Sequence, residues 1–424
     1  VRSPAREQRS SSTFTEPAEW LLQVFGTQAK TGAIVNENSA LTVATFAACV
    51  NILASSMSNF PLRLMRETAK GSEPATDHPL YDLVAAAPNA GQTSFRWRSF
   101  LQSCLCLGGN GYTEIVRDRY NDVVALVPML PFKVQPRAIE GGQFDGMVVY
   151  RYKGRQLLPH DVLHLRGLST DGFFGISPIR AMRESLGLSL SMQEFTARGF
   201  NNGNRQPGVI KGPPQWNEEK AKEFLKMWQS TQAGAQNAGR TPVLFGGVEW
   251  QNAGWSNQDA ELLLSRKFEK EEIASWFRIP LVLVGDTEKT SSWGTGIEQL
   301  TRGFVMFTLQ PWATNWEQEL NFSLLTADER RQKLYFKFDF SELLRGSVGD
   351  QANYLKTLWG LGAVSANEVR RQFHMPEIPD VPGDLHYVPA NFVVAGTTPS
   401  TAAKAAADAA DKEEKIESDT KGKS

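Results

Sequence analysis

The stretch LGGNGYTEI, residues 107–115, places three glycines within four positions. Such a run is either a cradle for phosphate or a sharp turn between two elements. A phosphate cradle needs small residues after a strand, then a helix N-terminus whose free N–H groups face the anion. It also needs a Lys-Ser/Thr pair for phosphate and magnesium. Here Gly111 is followed by Tyr112, Thr113, Glu114, Ile115 and Val116, a β-type alternation with a carboxylate where the lysine should stand. No third glycine completes a dinucleotide fingerprint. The stretch therefore reads as a tight turn from a helix into a strand, not as an anion site.

Working outward, the flanks agree with that reading. Upstream, Phe46, Val50, Leu53 and Met57 repeat at helical spacing, and FPLRLMRE alternates like a strand. HPLYDLVAAAPN and TSFRWRSFLQSCLCL read as helices, with Asn89 and Gly91 at the break between them. Downstream, YTEIVRD, VVALVPML, FKVQP, MVVYRYK and VLHLRG are strands separated by Gly, Pro and Asn-Asp turns. Residues 1–38 are polar and irregular and read as a flexible N-terminal arm. The fold class is α+β.

A helical regime starts at GISPIRAMRESLGLSLSMQEF, with Ser177 as N-cap, Pro178 at the first helical position, and Ile179, Met182, Leu186 and Leu190 on one face. A strand–helix–strand unit follows. GVIK and PVLF are its strands, and Asn217 caps a helix with Glu218 and Glu219 at the positive end of its dipole. Ala221, Phe224, Leu225 and Trp228 are its expected buried stripe. A charged helix covers about 257–278 and ends at Ile279-Pro280. The loop GDTEKTSSWGTG then leads into a long helix from Ile297, which Pro311 should kink or break. KLYFKFDF returns to strand, and helices follow near 342–360 and 365–373, the second with a Ser365/Glu368 capping box. From Thr397 the chain is low-complexity Ala, Lys, Asp and Glu, expected to be disordered.

Composition excludes several functions. With 45 basic and 46 acidic side chains in 424 residues, the net charge is −1, unlike that of a protein built to grip nucleic acid. Cys49, Cys104 and Cys106 are an odd set in apolar surroundings and read as reduced core thiols. The most apolar stretch, 40–57, is interrupted by Thr42, Thr45, Asn51, Ser55 and Ser56, so no membrane span is expected. His160 and His164 have metal-ligand spacing but lie in a β-rich run and lack the zinc-protease glutamate. Glu269, Glu271 and Glu272, interleaved with Lys267 and Lys270, read as a solvated helix face. No catalytic residue, metal site or cofactor is expected. Carboxylates that converge only in space are invisible at this level.

Taken in order, CLCLGGNGYTEIVRD, ALVPMLP, DVLHLRGLSTDGFFGISPI, FNNGNRQPGVIKG, EIASWFRIPLVLVG, TSSWGTGIEQLTRGFVMFTLQPWATNWEQELNFSLL, YFKFDFSELLRG and GAVSANEVRRQF form a series. That series resembles the portal (head–tail connector) proteins of tailed bacteriophages, in the family typical of long non-contractile-tailed phages, from about Phe46 to Pro389. It departs from the family pattern after LLRG, where Ser347 and Gln351 replace a frequent aspartate and arginine.

The resemblance implies a portal-type fold. Residues 39–176 would be an α+β wing, completed by YFKFDF within 297–341. Residues 177–202 and 256–280 would be two stem helices, 203–255 a small α/β clip, 281–296 a channel loop, 342–396 a helical crown and 397–424 a disordered tail. It implies a twelve-membered homo-oligomeric ring at one capsid vertex of the virion, assembled in the host cytoplasm. Double-stranded DNA would pass through the ring without sequence preference. Partners would be the terminase large subunit, the major capsid protein and scaffold, and a head–tail adaptor. On this resemblance Lys289, Thr290, Ser291, Ser292 and Trp293 of the loop would contact DNA, and Arg266, Lys267 and Lys270 would face the channel. Asn217, Glu218, Glu219 and Lys222 would lie where the motor docks. Two other classes stay open: a capsid adaptor ring that passes no DNA, and a metal-dependent enzyme.

Overall fold

A computed structural model describes residues 27–69, 71–138, 148–201, 208–232, 247–252, 258–286, 295–340, 348–373, 375–379 and 383–386. The chain divides into two units, residues 1–340 and 341–424. The first begins with β1 (Thr27–Gln28), β2 (Ile34–Val35), α1 (Glu37–Thr42), α2 (Ala44–Asn59), β3 (Leu62–Thr68), β4 (Gly71–Pro74), α3 (Pro79–Ala85) and α4 (Ser94–Gly108). Strands β5 (Asn110–Arg117), β6 (Val123–Met129), β7 (Val134–Ala138), β8 (Val148–Tyr152), β9 (Arg155–Leu157) and β10 (Val162–Arg166) follow. Next come α5 (Pro178–Ala181), α6 (Arg183–Asn201), β11 (Gly208–Lys211), α7 (Glu218–Gln232), β12 (Glu249–Asn252) and α8 (Gln258–Trp276). Helices α9 (Thr295–Phe304), α10 (Gln310–Ser323) and α11 (Ala327–Arg331), with strand β13 (Leu334–Phe338), close the unit.

Among the described residues all strand pairs are antiparallel and form small sheets: β10-β5-β6, β7-β8-β9, β13-β3-β4, β11-β12 and β1-β2. Strand β13 lies beside β3 with Phe338 opposite Leu62, so a segment more than 260 residues downstream completes the sheet begun by FPLRLMRE. The main core joins α2, α4 and α10. Trp97 and Trp316 meet edge to face at 5.7 Å, and each indole N–H is satisfied, on Thr113 Oγ1 at 3.1 Å and Gln102 Oε1 at 2.9 Å. A second core lies between the β10-β5-β6 and β7-β8-β9 sheets, around Tyr112, Met129, Tyr150 and Val162.

Several sequence expectations change. Residues 27–38 are not loose arm. They form a hairpin and a capped helix start, with Ala29, Val35 and Ala40 buried. The Lys30 backbone N–H donates to Glu184 Oε2 of α6 at 2.9 Å, and Gly187 on the same helix leaves room for Ala29. The helix expected from Ser177 is two helices, broken at Met182, with Ser177 capping as read.

Pro311 does not break its helix. A π turn at Val305–Leu309 shifts the hydrogen-bond ladder, so the proline falls in the first turn of α10, where no intrahelical donor is required. In the insert, GVIK pairs with EWQN of β12, whereas PVLF lies outside the described residues. The expected stripe on α7 is only partly covered. Phe224 packs between Trp216 and Trp228, but Leu225 is 49% exposed.

The second unit contains α12 (Val348–Gly360) and α13 (Ala366–Gln372), whose first turn carries the Ser365/Glu368 capping box. Buried Asn367 holds the following chain, donating to Ile378 O at 3.2 Å and Asp384 Oδ1 at 3.0 Å and accepting from Ile378 N at 2.8 Å.

Candidate nucleic-acid interface

The glycine stretch is a crossing of two backbones. Gly109 ends α4 in the left-handed region, at φ +76°. Its carbonyl accepts from Gly167 N at 2.8 Å. A Cβ on Gly109 would lie 2.2 Å from Ile176 O, and one on Gly175 would lie 1.9 Å from Gly109 O. Asn110 completes the crossing. Its amide donates to Gly175 O at 2.8 Å, and its Oδ1 accepts from Gly175 N at 2.8 Å. The turn thereby fixes where GISPI, and with it the start of α5, leaves the sheet. The N–H groups of Gly109 and Gly175 are committed here, to Leu105 O and Asn110 Oδ1.

His164 belongs to the same structure. Its Nε2 faces Asn110 Oδ1 at 3.0 Å, while Nδ1 faces Tyr150 Oη at 3.0 Å and accepts from Arg166 Nε at 3.3 Å. That set assigns the neutral tautomer with the proton on Nε2. Burial, aided by the Arg166 charge, holds its pKa well below the ordinary histidine value. His160 is exposed beside Asp161 at 3.5 Å and does not join it. Among the described residues no group of three or more His, Cys, Asp and Glu side chains could hold a metal. The three cysteines are free and buried, and burial raises Cys49 and Cys106 to about 12, which leaves their thiols inert.

Helices α6 and α8 pack together, with Ser189 Oγ donating to Glu269 Oε2 at 3.5 Å. Glu269 is therefore not on a solvated face as the sequence suggested. It is 6% exposed, and burial together with the neighbouring Glu272 charge raises its carboxyl to about 6. On α8, Arg266 is exposed and Lys267 half-buried. Lys270 pairs with Asp286 at 3.5 Å and so ties the helix to the chain after the 3-10 turn Leu281–Val284. Thr308 of the π turn donates to Arg278 O at 2.6 Å, just past the end of α8. The basic residues of α8 are thus divided between solvent and structural pairing.

On α7, Asn217 Oδ1 accepts from Lys220 N at 3.0 Å, and Lys222 pairs with Glu218 at 2.6 Å, both groups largely exposed. Glu219 is exposed on the same turn. The structure thus brings Asn217, Glu218, Glu219 and Lys222 onto one helix turn. Lys289, Thr290, Ser291, Ser292 and Trp293 lie outside the described residues. Sequence reasoning missed the Gly109–Gly175 crossing and the buried Glu269. The repeated glycines of GGNG and DGFFG were the available signal for the first, and nothing local signals the second.

The overall fold has counterparts among solved structures. In the neck of an empty GTA particle computed with C6 symmetry, one chain matches with a TM-score of 0.53 at 22% identity, covering 85% of this chain and 94% of that one. An HK97 family phage portal protein from Corynebacterium diphtheriae matches with a TM-score of 0.56 at 16% identity, covering 74% and 97%. The fold is thus that of the mixed α+β subunits of portal and neck assemblies.

The family model described as "Phage portal protein" matches residues 44–373, and the chain belongs to that family. It is 29% identical over 366 residues to the portal protein of Enterobacteria phage HK97, covering 85% of this chain and 84% of that one. It is likewise 29% identical over 399 residues to the probable portal protein of Streptomyces phage phiC31, covering 91% and 86%. Membership gives the chain a general role in DNA packaging at the head–tail connector of a phage virion.

Proposed function

We propose that copies of this chain close into a twelve-membered ring at one capsid vertex and that double-stranded DNA passes along its axis during packaging, retention and ejection. The observation that carries the reading is the family match across residues 44–373. It is supported by similar chains in neck particles computed with C6 and with C12 symmetry. In this reading α6 and α8 are the stem, and the insert between them is the clip. The α7 turn at Asn217–Lys222 meets the terminase large subunit and later a head–tail adaptor, while the α+β body faces capsid protein and scaffold. The ring assembles in the host cytoplasm. The loop 281–296 sends Lys289, Thr290, Ser291, Ser292 and Trp293 toward the axis, and Arg266, with Lys267 and Lys270 behind it, borders the channel.

A closed ring suits these surfaces, because cyclic symmetry gives every subunit the same two neighbours and leaves no interface free to propagate. End-on electron microscopy of the purified protein tests the proposal. Class averages should show a ring with a hole wide enough for duplex DNA. A chain that stays monomeric at high concentration, with scaffold and DNA present, would refute it.

A further inference from the structure

His164 is 1% exposed, yet both nitrogens of its ring meet polar groups from other strands or from its own. Asn110 Oδ1 of β5 accepts the Nε2 proton, and the same oxygen accepts from Gly175 N at 2.8 Å. Tyr150 Oη of β8 and Arg166 Nε of β10 both donate to Nδ1, at 3.0 and 3.3 Å. Tyr112 stacks on the ring at 4.4 Å, and Phe174 lies at 6.4 Å. Asp171, in the loop that carries Phe174, turns Oδ1 to Phe173 N and Phe174 N, at 2.7 and 2.8 Å. Glu319 of α10 stands beyond Arg166, 3.7 Å from its guanidinium.

We infer that His164 is a proton-operated latch on the Gly109–Gly175 crossing: a proton taken up from solvent at Nδ1 drives the ring from its site and frees the segment 167–177 that leads into α5. The chemistry of Nδ1 carries this. It holds its present place only as an acceptor, and a proton would turn it into a donor facing two donors. Tyr150 can rotate its hydroxyl away. The Arg166 Nε–H is fixed in the guanidinium plane, and its charge would then lie 3.3 Å from an imidazolium. Glu319 offsets one of those two charges and not both, and burial keeps water from the other. When the ring leaves, Asn110 Oδ1 loses one of its two donors, and the amide that holds Gly175 loses the group that orients it.

The direction of the pH effect follows. Burial and the Arg166 charge lower the closed-state pKa well below the ordinary 6.5, which returns when the ring is solvated. The latch therefore contributes stability that is present above about pH 6.5 and lost as pH falls below it. Glu269 is shifted in the other direction, so its effect on the helix pair has the opposite sign. The inference is independent of ring formation.

Hydrogen exchange of the full chain, read by mass spectrometry and corrected for the intrinsic effect of pH, tests it. The reporters are the amides of Gly167, Gly175 and Ile176, bonded to Gly109 O, Asn110 Oδ1 and Leu168 O. Peptides that cover them should open about tenfold more at about pH 5.5 than at about pH 7.5, because each unit below the open-state pKa favours the protonated open form about tenfold. Peptides from β3 and β13 should not change. His164→Gln keeps a donor and an acceptor without a titrating ring, and should abolish the acid increment. If His164→Gln fails to fold, Tyr150→Phe carries the test. With one donor to Nδ1 gone, the acid increment should begin at higher pH. Equal exchange at the two pH values, an increment that His164→Gln retains, or a Tyr150→Phe profile identical to the wild type would overturn the inference.

Discussion

At Gly109 an added methyl group would be driven to 2.2 Å from a carbonyl oxygen at a backbone φ of +76°, so two costs coincide. The left-handed conformation costs a non-glycine residue about 1–2 kcal/mol, and overpacking adds about 1–3 kcal/mol. Gly109→Ala should therefore lose about 2–5 kcal/mol in chemical denaturation, and Gly175→Ala, which meets Gly109 O but carries no left-handed backbone cost, should lose about 1–3 kcal/mol. Gly108 is the internal control. It lies in the last turn of α4, nothing stands within 4 Å of its added Cβ, and alanine favours helix. Gly108→Ala should be neutral or stabilise by up to about 1 kcal/mol. If all three variants melt alike, the crossing is not what these glycines are for. The sequence showed that GGNG was a turn and not a phosphate site. It could not show that the turn's partner was Gly175, because a glycine's neighbours are a tertiary property. The same scale holds Lys289. Within the proposed channel it makes one weak phosphate contact per subunit, repeated round the ring. Lys289→Glu should leave ring assembly intact and impair DNA packaging or retention, with a defect that varies with salt. Normal packaging of a full genome across a range of salt would remove the loop from the contact.

The pairing of α6 with α8 carries a titration that belongs to neither helix alone. Glu269 is raised to about 6 by burial and by Glu272, above its ordinary value of 4.5. A carboxyl raised in the folded state contributes stability that is fully present below its unfolded pKa and lost as pH rises through the folded one. The helix pair should therefore weaken between about pH 4.5 and pH 6. Glu269→Gln keeps the Ser189 contact and removes the charge. It should raise stability at pH 7 by about 1 kcal/mol and flatten the dependence across that window, read by thermal melts at a series of pH values. A variant with the wild-type pH profile would show that Glu269 is solvated in solution. Elements of this kind were legible in the sequence where periodicity and caps were strong, as at Ser177, Asn217 and Ser365, whose side chains all accept the expected helix N–H. They were illegible where pairing made the element. EWQN has no strand pattern of its own and is a strand because GVIK lies beside it, and β1 and β2 are two residues each.

For the whole molecule, charge balance decides what kind of DNA contact a ring of these chains can make. Duplex DNA carries one charge per about 1.7 Å, and a protein that neutralises several phosphates binds it tightly with a steep salt dependence. This chain has a net charge of −1. On α8, the Lys270 charge is offset by Asp286 at 3.5 Å, while Arg266 is exposed. A conduit gains from charge balance, since each firm phosphate contact would have to be broken at every step of translocation. Retention in the proposed ring would be mainly topological, with the Lys289 contacts adding a weak salt-dependent part. The purified ring should fail to retard linear duplex in a gel at about 0.15 M salt, where electrostatics reach only about 8 Å. DNA threaded during packaging should nevertheless stay with the particle at the same salt. The low-complexity tail has no apolar periodicity in its sequence, so a chain lacking residues 400–424 should form the same rings and behave the same way in the gel. Tight binding of free duplex by the isolated ring, falling as steeply with salt as six or more phosphate contacts require, would mean that the channel grips DNA instead of guiding it.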